Sequence, residues 1–234
     1  MRARNRHFIS PPAQRLMGTR LVSELLAHGV RVQALARKQT QFFRRVGPGV
    51  IFGRGVTLLQ PDRTDVLDRV AIDDYVMLDA GGGGESGICI GDDVIISRNA
   101  VIQAKESPVT IGNPADIGCN TVISSIAGVN LGHAVLVAAN CYIGGGRYGH
   151  ERIDTPMMDQ GLETGGPVEI GDDVWVGAAA VVTDGCKISR GAIVGAGAVV
   201  NSDIPEYAIA VGVPPRVTGY RGSSCAHDEA SEAS

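Results

Sequence analysis

An aliphatic residue recurs every six positions through the C-terminal half of the chain. The repeat is most regular over 170–201, where the recurring residues are Ile170, Val176, Val182, Ile188, Val194 and Val200. A second residue, small or β-branched, follows four positions after each of the first five, at Val174, Ala180, Cys186, Ala192 and Ala198. A period of six fits neither an α-helix nor simple strand alternation and is typical of a parallel β-helix. Each hexapeptide then forms a strand and a turn, with its aliphatic side chain in a shared core.

The same register extends towards the N-terminus with interruptions. Its aliphatic residues are Val66, Ile72, Leu78, Ile90, Ile96 and Ile102, then Ile111, Ile117, Ile123 and Val129, and, two residues out of step, Leu131, Val137 and Ile143. We interpret the slips as insertions at corners, since inserted residues must leave a coil where its strands end. The run Gly81–Gly84 predicts an irregular coil and not a phosphate-binding loop, because no helix pattern or lysine follows it. Val50 and Val56 indicate a first coil.

The longest interruption of the repeat runs from Gly144 to Val168. A loop of this length in so regular a repeat is a candidate functional element. It contains His150, and histidine suits proton transfer because its unperturbed pKa lies near neutrality. His133 instead takes a turn position that aspartates hold in sister repeats, so we expect it at an exposed corner.

The repeat ends in Gly212-Val213-Pro214-Pro215-Arg216-Val217. With this ending, residues 66–220 resemble the hexapeptide-repeat acyltransferases. The narrower similarity is to the sugar O-acetyltransferases that use acetyl-CoA, which include the galactoside, maltose and exopolysaccharide acetyltransferases. The resemblance implies an all-β fold, a left-handed parallel β-helix with three hexapeptides a turn. It also implies a homotrimer whose protomers share the active site.

The resemblance implies a catalytic role for His150. In the family, a loop histidine followed by a proline and often Gln-Gly lies about one coil before a Val-Trp-Val-Gly motif, and acts as general base. Here Pro156, Gln160 and Trp175 follow His150 in that order. One departure is the Gly-Arg-Tyr-Gly stretch before it, where relatives often have the histidine closer to the preceding strand.

A carboxylate could orient His150 through its other ring nitrogen. Asp154, Glu151 and Asp159 are open alternatives for this role, and the sequence does not choose among them.

The resemblance further places acetyl-CoA between adjacent protomers, against the C-terminal coils. The positions that match the donor site are Trp175, Ala178, Ala196, Asn201 and Arg216, with Asn201 standing where threonine is common. The two alanines would contact pantetheine through their backbone, and Arg216 would bind a phosphate. Trp175 would flank the reactive end, and the amide of Ala178 is the candidate oxyanion donor. Ser124 and Gln160 are the expected acceptor contacts.

Acetyl transfer to a hydroxyl of a sugar or polysaccharide precursor, free or lipid-linked, is therefore the leading hypothesis. The motifs do not separate oxygen from nitrogen acceptors, so an N-acetyltransferase for an amino sugar or antibiotic stays open. A non-catalytic scaffold would have the repeats without the histidine loop or the Gly-Val-Pro-Pro-Arg ending. A γ-class carbonic anhydrase needs three zinc-binding histidines. Only His133 and His150 lie in the repeats, and we expect no metal.

Charge divides the chain into segments. Residues 1–45 carry ten basic side chains and one acidic, a net charge of +9, while the rest carries 11 basic and 24 acidic, a net of −13.

Ser10-Pro11-Pro12 and a helical apolar spacing predict one broken helix or two short ones over about 12–45. We expect a basic helical segment at 1–45 that caps the first coil, the acyltransferase β-helix at 46–221 and a disordered tail at 222–234. The basic face also suits peripheral membrane contact, whereas we expect no nucleic-acid partner.

The cysteines indicate a reduced chain. Cys141 and Cys186 fall on the small inward positions of the repeat, where a thiol behaves as a compact apolar group, and Cys225 lies in the polar tail. No segment has the length of a transmembrane helix, and no secretory signal is recognisable. We therefore expect a cytoplasmic protein, with or without membrane association.

Overall fold

The structure is a computed structural model that describes residues 40–82 and 87–222. Most of the predicted N-terminal helical segment, residues 83–86 of the glycine-rich region and the tail from residue 223 lie outside the described residues. Nothing in the structure therefore bears on the predictions for those segments.

Three parallel sheets form the sides of a prism. The first contains β1 (Arg45–Val46), β4 (Thr64–Val66), β7 (Ile88–Ile90), β10 (Val109–Ile111), β13 (Val129–Leu131), β18 (Val168–Ile170) and β21 (Lys187–Ile188). The second contains β2 (Ile51–Phe52), β5 (Ala71–Ile72), β8 (Val94–Ile96), β11 (Ala115–Ile117), β14 (Val135–Val137), β19 (Trp175–Val176), β22 (Ile193–Val194), β24 (Ala208–Val211) and β25 (Arg216–Tyr220). The third contains β3 (Thr57–Leu59), β6 (Met77–Asp79), β9 (Val101–Ala104), β12 (Val122–Ser125), β15 (Tyr142–Gly145), β20 (Val181–Thr183) and β23 (Val199–Val200).

The chain visits the three sheets in turn, so each group of three strands is one coil and about seven coils stack along the prism. The strands of successive coils pair in parallel and in register, as in Ile123 opposite Ile102 and Ile143. Within the three sheets of the described residues, only β25 is antiparallel, and it returns along β24 at the C-terminal end of the second sheet. The predicted fold class is confirmed, an all-β parallel β-helix whose three sheets are consistent with the left-handed form.

The core consists of the residues that the six-residue period predicts. Every recurring aliphatic side chain from Ile170 to Val200 is at most 2% exposed. The small positions are also buried, including Cys141 and Cys186, and burial raises the pKa of both thiols. A neutral thiol at these positions fills the narrow part of the coil without a charge.

The three corners of the prism differ in what they carry. We name each by the sheets it joins: corner 1–2, corner 2–3 and corner 3–1. Corners 1–2 and 2–3 are short turns, several with a residue in the left-handed region, such as Ala179 (φ 57°). The long insertion at 146–167 leaves the prism at corner 3–1, which joins the third-sheet strand of one coil to the first-sheet strand of the next, and the connection between β6 and β7 falls at the same corner. Corner 3–1 is therefore where the sequence tolerates additional structure.

The N-terminal end of the described prism corrects one prediction. Helix was expected up to residue 45, but the chain forms a 3-10 turn at Thr40–Phe42 and then strand β1 from Arg45. Phe43 is buried and packs against Phe52, with ring centroids 5.5 Å apart. Because Phe43 closes the first coil as part of the core, the backbone there follows the strand period and not the helical one.

The outward faces of the sheets have different chemistry. The first sheet presents mostly polar groups, among them Asp65, Thr110, Asn130, Glu169 and Lys187. The second presents an apolar row interrupted by one acid, in the order Ile95, Asp116, Leu136, Trp175, Ile193 and Ile209. The third presents the row Met77, Val101, Val122, Tyr142, Val181 and Val199. Apolar surface therefore flanks corner 2–3 on both sides.

One structural observation concerns membrane-spanning helices. Within residues 40–82 and 87–222, no helix is long and apolar enough to cross a bilayer.

Candidate active site

The histidine loop is an ordered excursion from corner 3–1. Residues 146–167 begin and end with a two-stranded antiparallel ribbon, β16 (Arg147–Tyr148) and β17 (Leu162–Glu163), and include a 3-10 turn at Met157–Asp159. The ribbon continues in a 3.0 Å bond from the Gly149 amide to the Gly161 carbonyl. The base of the loop is tied to the following coil, because Gly185 donates its amide to the Gly166 carbonyl at 2.9 Å.

His150 is exposed on this loop, just beyond the end of β16. Its Nδ1 lies 3.3 Å from the backbone carbonyl of Tyr148. A carbonyl can only accept, so the contact favours the tautomer that carries the proton on Nδ1. Nε2 is then left with a free lone pair, which a general base requires.

In the described structure, the ring of His150 contacts a backbone carbonyl and none of the three candidate carboxylates. Asp154 instead pairs with Arg152 through two bonds of 3.0 and 2.9 Å, and this pairing lowers the pKa of Asp154. No hydrogen bond joins His150 to Glu151 or Asp159 among the described residues. Sequence reasoning missed Tyr148, since any residue supplies a backbone carbonyl and its side chain gives no signal.

Gln160 closes the loop on itself. Its Nε2 donates to the carbonyls of Arg152 and Thr155, both at 2.8 Å, and its Oε1 accepts the Arg152 amide at 3.0 Å. Both amide hydrogens are therefore used within the loop. The predicted acceptor contact stays a prediction, and what the structure shows is a brace across 152–160.

The predicted donor residues Ala178 and Ala196 lie one above the other at corner 2–3. Both are exposed, and the amide of Gly197 donates to the carbonyl of Ala178 at 2.8 Å. The coils approach so closely here that a Cβ on Gly177 would lie 2.6 Å from the Ala196 nitrogen. The N–H groups of Ala178 and Ala196 have no acceptor among the described residues. Two outward donors one coil apart can bind carbonyl oxygens of an extended ligand.

The Pro-Pro-Arg ending continues the same corner. Val199 donates its amide to the carbonyl of Gly212 at 3.2 Å, so the turn 212–215 follows Ala196 at the next level. Arg216 begins β25 beyond this turn, is exposed, and forms no ion pair with the described residues. We call Ala178, Ala196 and residues 212–216 together the corner strip. Trp175 is half exposed on the second sheet, three residues before Ala178.

Two other predicted residues lie away from this strip. Asn201 is exposed and follows β23, at the edge of the third sheet that leads into corner 3–1. Ser124 is only 2% exposed, and its hydroxyl has no hydrogen-bond partner among the described residues. It pairs with Gln103 and Gly144 on the third sheet. The predicted acceptor contact of Ser124 would need the hydroxyl to be uncovered.

His133 occupies the exposed corner that its turn position predicts. Its Nδ1 lies 2.9 Å from the carbonyl of Asn113 at corner 1–2, and its amide donates to Asp172 at 2.7 Å. In the parts of the chain that the structure describes, no three His, Cys, Asp or Glu side chains are grouped so that they could hold a metal ion.

A feature that the sequence reading did not single out is a ladder of asparagines at corner 2–3. Asn99 donates to Asn120 at 3.1 Å, and Asn120 donates to Asn140 at 3.1 Å. The signal was present in the sequence, because the three asparagines recur at intervals close to one coil.

Comparisons with known proteins agree with this architecture. Residues 167–202 match the model for the bacterial transferase hexapeptide (six repeats), and residues 108–144 match the model for the hexapeptide repeat of succinyl-transferase. A mutant of AntD, an N-acyltransferase from Bacillus cereus, solved with dTDP-4-amino-4,6-dideoxyglucose and coenzyme A, is 20% identical. That match covers 80% of this chain and 88% of AntD with a TM-score of 0.58. At this identity the likeness shows the fold alone.

Curated relatives share more of the sequence. A probable acetyltransferase of Mycobacterium tuberculosis is 37% identical over 132 residues, which are 56% of this chain and 44% of that protein. A putative acetyltransferase of Saccharomyces cerevisiae is 39% identical over 111 residues, 47% of this chain and 55% of that protein. The chain thus spans about half the length of the curated relatives it matches. The repeat models, the fold and these relatives all support the resemblance of the chain to the hexapeptide-repeat acetyltransferases.

Proposed function

We propose that the protein transfers an acetyl group from acetyl-CoA to a hydroxyl of a sugar or polysaccharide precursor, with His150 as general base. The observation that carries the proposal is the ring of His150, whose Nδ1 faces the Tyr148 carbonyl and whose Nε2 has no hydrogen-bond partner within residues 40–82 and 87–222. The family supports acetyl-CoA as donor, since solved relatives of this fold were determined with coenzyme A.

The corner strip suits the donor. A pantetheine arm presents amide groups along its length, and the unpaired N–H groups of Ala178 and Ala196 are available to bind them. Arg216, at the C-terminal end of the strip, supplies a cation for the phosphates of coenzyme A. The arm would then lie along corner 2–3 with its acyl end towards the coil of Trp175 and the coil before it.

The chemistry requires one proton to move twice. Nε2 of His150 takes the proton of the acceptor hydroxyl as its oxygen attacks the thioester carbonyl. The carbonyl oxygen becomes negatively charged in the tetrahedral intermediate, and a corner N–H such as that of Ala178 stabilises it. The carbon–sulfur bond then breaks, the new ester forms, and the imidazolium returns the proton to the thiolate to give free coenzyme A.

A second protomer would complete this site. The loop of His150 leaves the prism at corner 3–1, whereas the corner strip lies at corner 2–3, across the width of the third sheet. A neighbouring copy can bring its histidine loop to the corner strip of the first. The apolar rows that flank corner 2–3 give such a neighbour a surface to pack on. We therefore propose a homotrimer with shared sites, as is usual for the family.

The proposal is tested by acetyl transfer with the full chain. Acetyl-CoA is offered with a panel of mono- and oligosaccharides and matched amino sugars, and the products are identified by mass spectrometry. We expect an O-acetylated product, and loss of 10²–10⁴-fold in turnover for His150→Gln. His133→Gln is the matched control and should retain turnover. N-acetylated products alone would correct the acceptor from oxygen to nitrogen, and unchanged turnover of folded His150→Gln would refute the base.

A further inference from the structure

The asparagine ladder at corner 2–3 has a defined direction. Nδ2 of Asn99 donates to Oδ1 of Asn120, and Nδ2 of Asn120 donates to Oδ1 of Asn140, each at 3.1 Å. All three residues adopt the left-handed region, with φ between 57° and 61°, so their side chains leave the corner at the same angle. Each amide therefore points its N–H group at the following coil.

The ladder stops one coil before it would reach the corner strip. The residue that stacks on Asn140 is Ala179, whose amide donates to the Ala139 carbonyl at 2.9 Å and whose methyl group cannot accept. Nδ2 of Asn140 has no acceptor among the described residues. By the direction of the ladder, this N–H group faces the coil of Ala178, one strand spacing of about 4.8 Å further along the prism. A ladder of aligned amides polarises its terminal donor, which strengthens the bond that this donor can make.

Asn140 also lies at the reactive end of the strip. Phosphates at Arg216 place the nucleotide at the C-terminal end of corner 2–3, so the acyl group lies at the other end, beside Ala178 and Asn140. The coil of Asn140 continues into β15 and from there into the loop of His150. In this protomer the ladder therefore ends where the thioester of the proposed donor would be held.

We propose that Nδ2 of Asn140 donates a hydrogen bond to the acyl carbonyl oxygen of the bound thioester. This inference rests on the proposed function and adds a residue that distinguishes acetyl-CoA from coenzyme A, which lacks that oxygen. The bond strengthens as the carbonyl oxygen gains negative charge, so Asn140 contributes to turnover as well as to binding. The N–H of Ala178 approaches the same oxygen from the next coil.

The replacement Asn140→Asp separates this role from the ladder. A carboxylate at position 140 still accepts from Nδ2 of Asn120 and still tolerates the left-handed backbone, but it has no N–H to offer the ligand. Asn140→Ala removes both functions without introducing a charge. Asn99→Ala is the matched control, because it removes the other end of the same ladder from an equivalent corner three coils away from the turn at Ala178.

The test is calorimetric titration of the full chain with acetyl-CoA and, separately, with coenzyme A. We expect both Asn140 variants to bind acetyl-CoA about tenfold more weakly than wild type. For Asn140→Ala, affinity for coenzyme A should stay within about twofold, and Asn99→Ala should bind both ligands as wild type does. Turnover of Asn140→Asp should also fall, by roughly 10–100-fold, because a negative charge then faces the developing oxyanion.

Three results would overturn the inference. Wild-type affinity of Asn140→Ala for acetyl-CoA would show that no bond is made. An equal loss for acetyl-CoA and coenzyme A would place the contact elsewhere on the arm. An equal loss in Asn99→Ala would show that the ladder acts only through the stability of the corner. Failure of the wild-type chain to bind either ligand is distinguishable from all three, and refutes the proposed function with it.

Discussion

The amide of Gly197 donates a 2.8 Å hydrogen bond to the carbonyl of Ala178, and this bond fixes the spacing of the two exposed corner turns. Because the carbonyl of Ala178 accepts this hydrogen bond from the next coil, the N–H of Ala178 is the backbone group that can bind a ligand. The same close approach makes Gly177 necessary, since a Cβ there would lie 2.6 Å from the Ala196 nitrogen and 2.7 Å from the Val194 carbonyl oxygen.

Gly177→Ala should therefore destabilise the corner and weaken donor binding together. The added methyl group meets backbone atoms that can move only by separating two coils, and we expect a loss of about 1–3 kcal/mol in the free energy of unfolding. Thermal denaturation and titration with acetyl-CoA measure the two effects. Gly219→Ala is the control, because a Cβ there meets no atom within 4 Å. A stable Gly177→Ala protein with unchanged affinity would show that the coil spacing is not important for binding.

Arg216→Ala should raise the KM for acetyl-CoA about tenfold and leave turnover at saturation nearly unchanged. An exposed guanidinium that binds a phosphate contributes equally to the ground state and the transition state, so its loss appears in KM alone. Steady-state kinetics over a range of acetyl-CoA concentrations measure this. Arg190→Ala removes a charge from an exposed position at corner 1–2 and should change neither constant. A fall in kcat with unchanged KM would remove Arg216 from the donor site.

Gln160→Ala should lower turnover by roughly tenfold for every acceptor, because three hydrogen bonds across 152–160 are lost and the loop no longer holds His150 in place. The KM for acetyl-CoA should change little. Glu151→Gln, an exposed change in the same loop, is the control. If Gln160 acts instead as an acceptor contact, the variant will raise the acceptor KM and keep kcat.

Asp116 gives a pH dependence of stability. It lies exposed in the apolar row of the second sheet, and partial desolvation beside Ile95 and Leu136 raises its pKa above the usual range. The folded state holds this proton to a higher pH than the unfolded state does, so the ionised carboxylate opposes folding once the pH exceeds the folded-state pKa. Asp116→Asn should therefore raise the Tm at pH 7, and the difference should disappear by about pH 3, below the unfolded-state pKa of about 4. Glu106→Gln, at an exposed position, should give no comparable gain, and an equal or lower Tm for Asp116→Asn at pH 7 would contradict the account.

Light scattering tests the proposed assembly. We expect a mass close to three times the 24.4 kDa of one chain at micromolar concentration. Leu136→Asp places a charge in the apolar row and should shift the mass towards that of one chain, whereas Thr110→Asp on the polar first sheet should not. A wild-type mass of one chain would refute the shared site.

The sequence predicted the coil because its constraint is periodic and local. One aliphatic side chain in six must enter a narrow core, so Ile170 and its successors are identifiable from spacing alone. The helix expected up to residue 45 was wrong at its end, because Phe43 fits an apolar helical spacing but in the structure packs on Phe52 and closes the first coil, next to strand β1.

The site was predictable in its residue types and not in its contacts. His150 could be selected by its loop, but the carbonyl that faces its ring belongs to Tyr148, and backbone carbonyls have no sequence signature. Ser124 was expected to face an acceptor and is buried, at a position on the third sheet between Gln103 and Gly144. The unpaired end of the asparagine ladder follows from Ala179 stacking on Asn140, and the register of these two coils across the 146–167 insertion is visible only in the folded prism.

Titration of the full wild-type chain with acetyl-CoA tests donor binding at the corner strip without any knowledge of the acceptor. We expect saturable binding of one acetyl-CoA per chain, with a dissociation constant in the micromolar range, corresponding to about −8 kcal/mol. Absence of binding at about 1 mM ligand, where even a contribution of about −4 kcal/mol would be detected, would contradict the assignment of the corner strip and of the acetyltransferase activity.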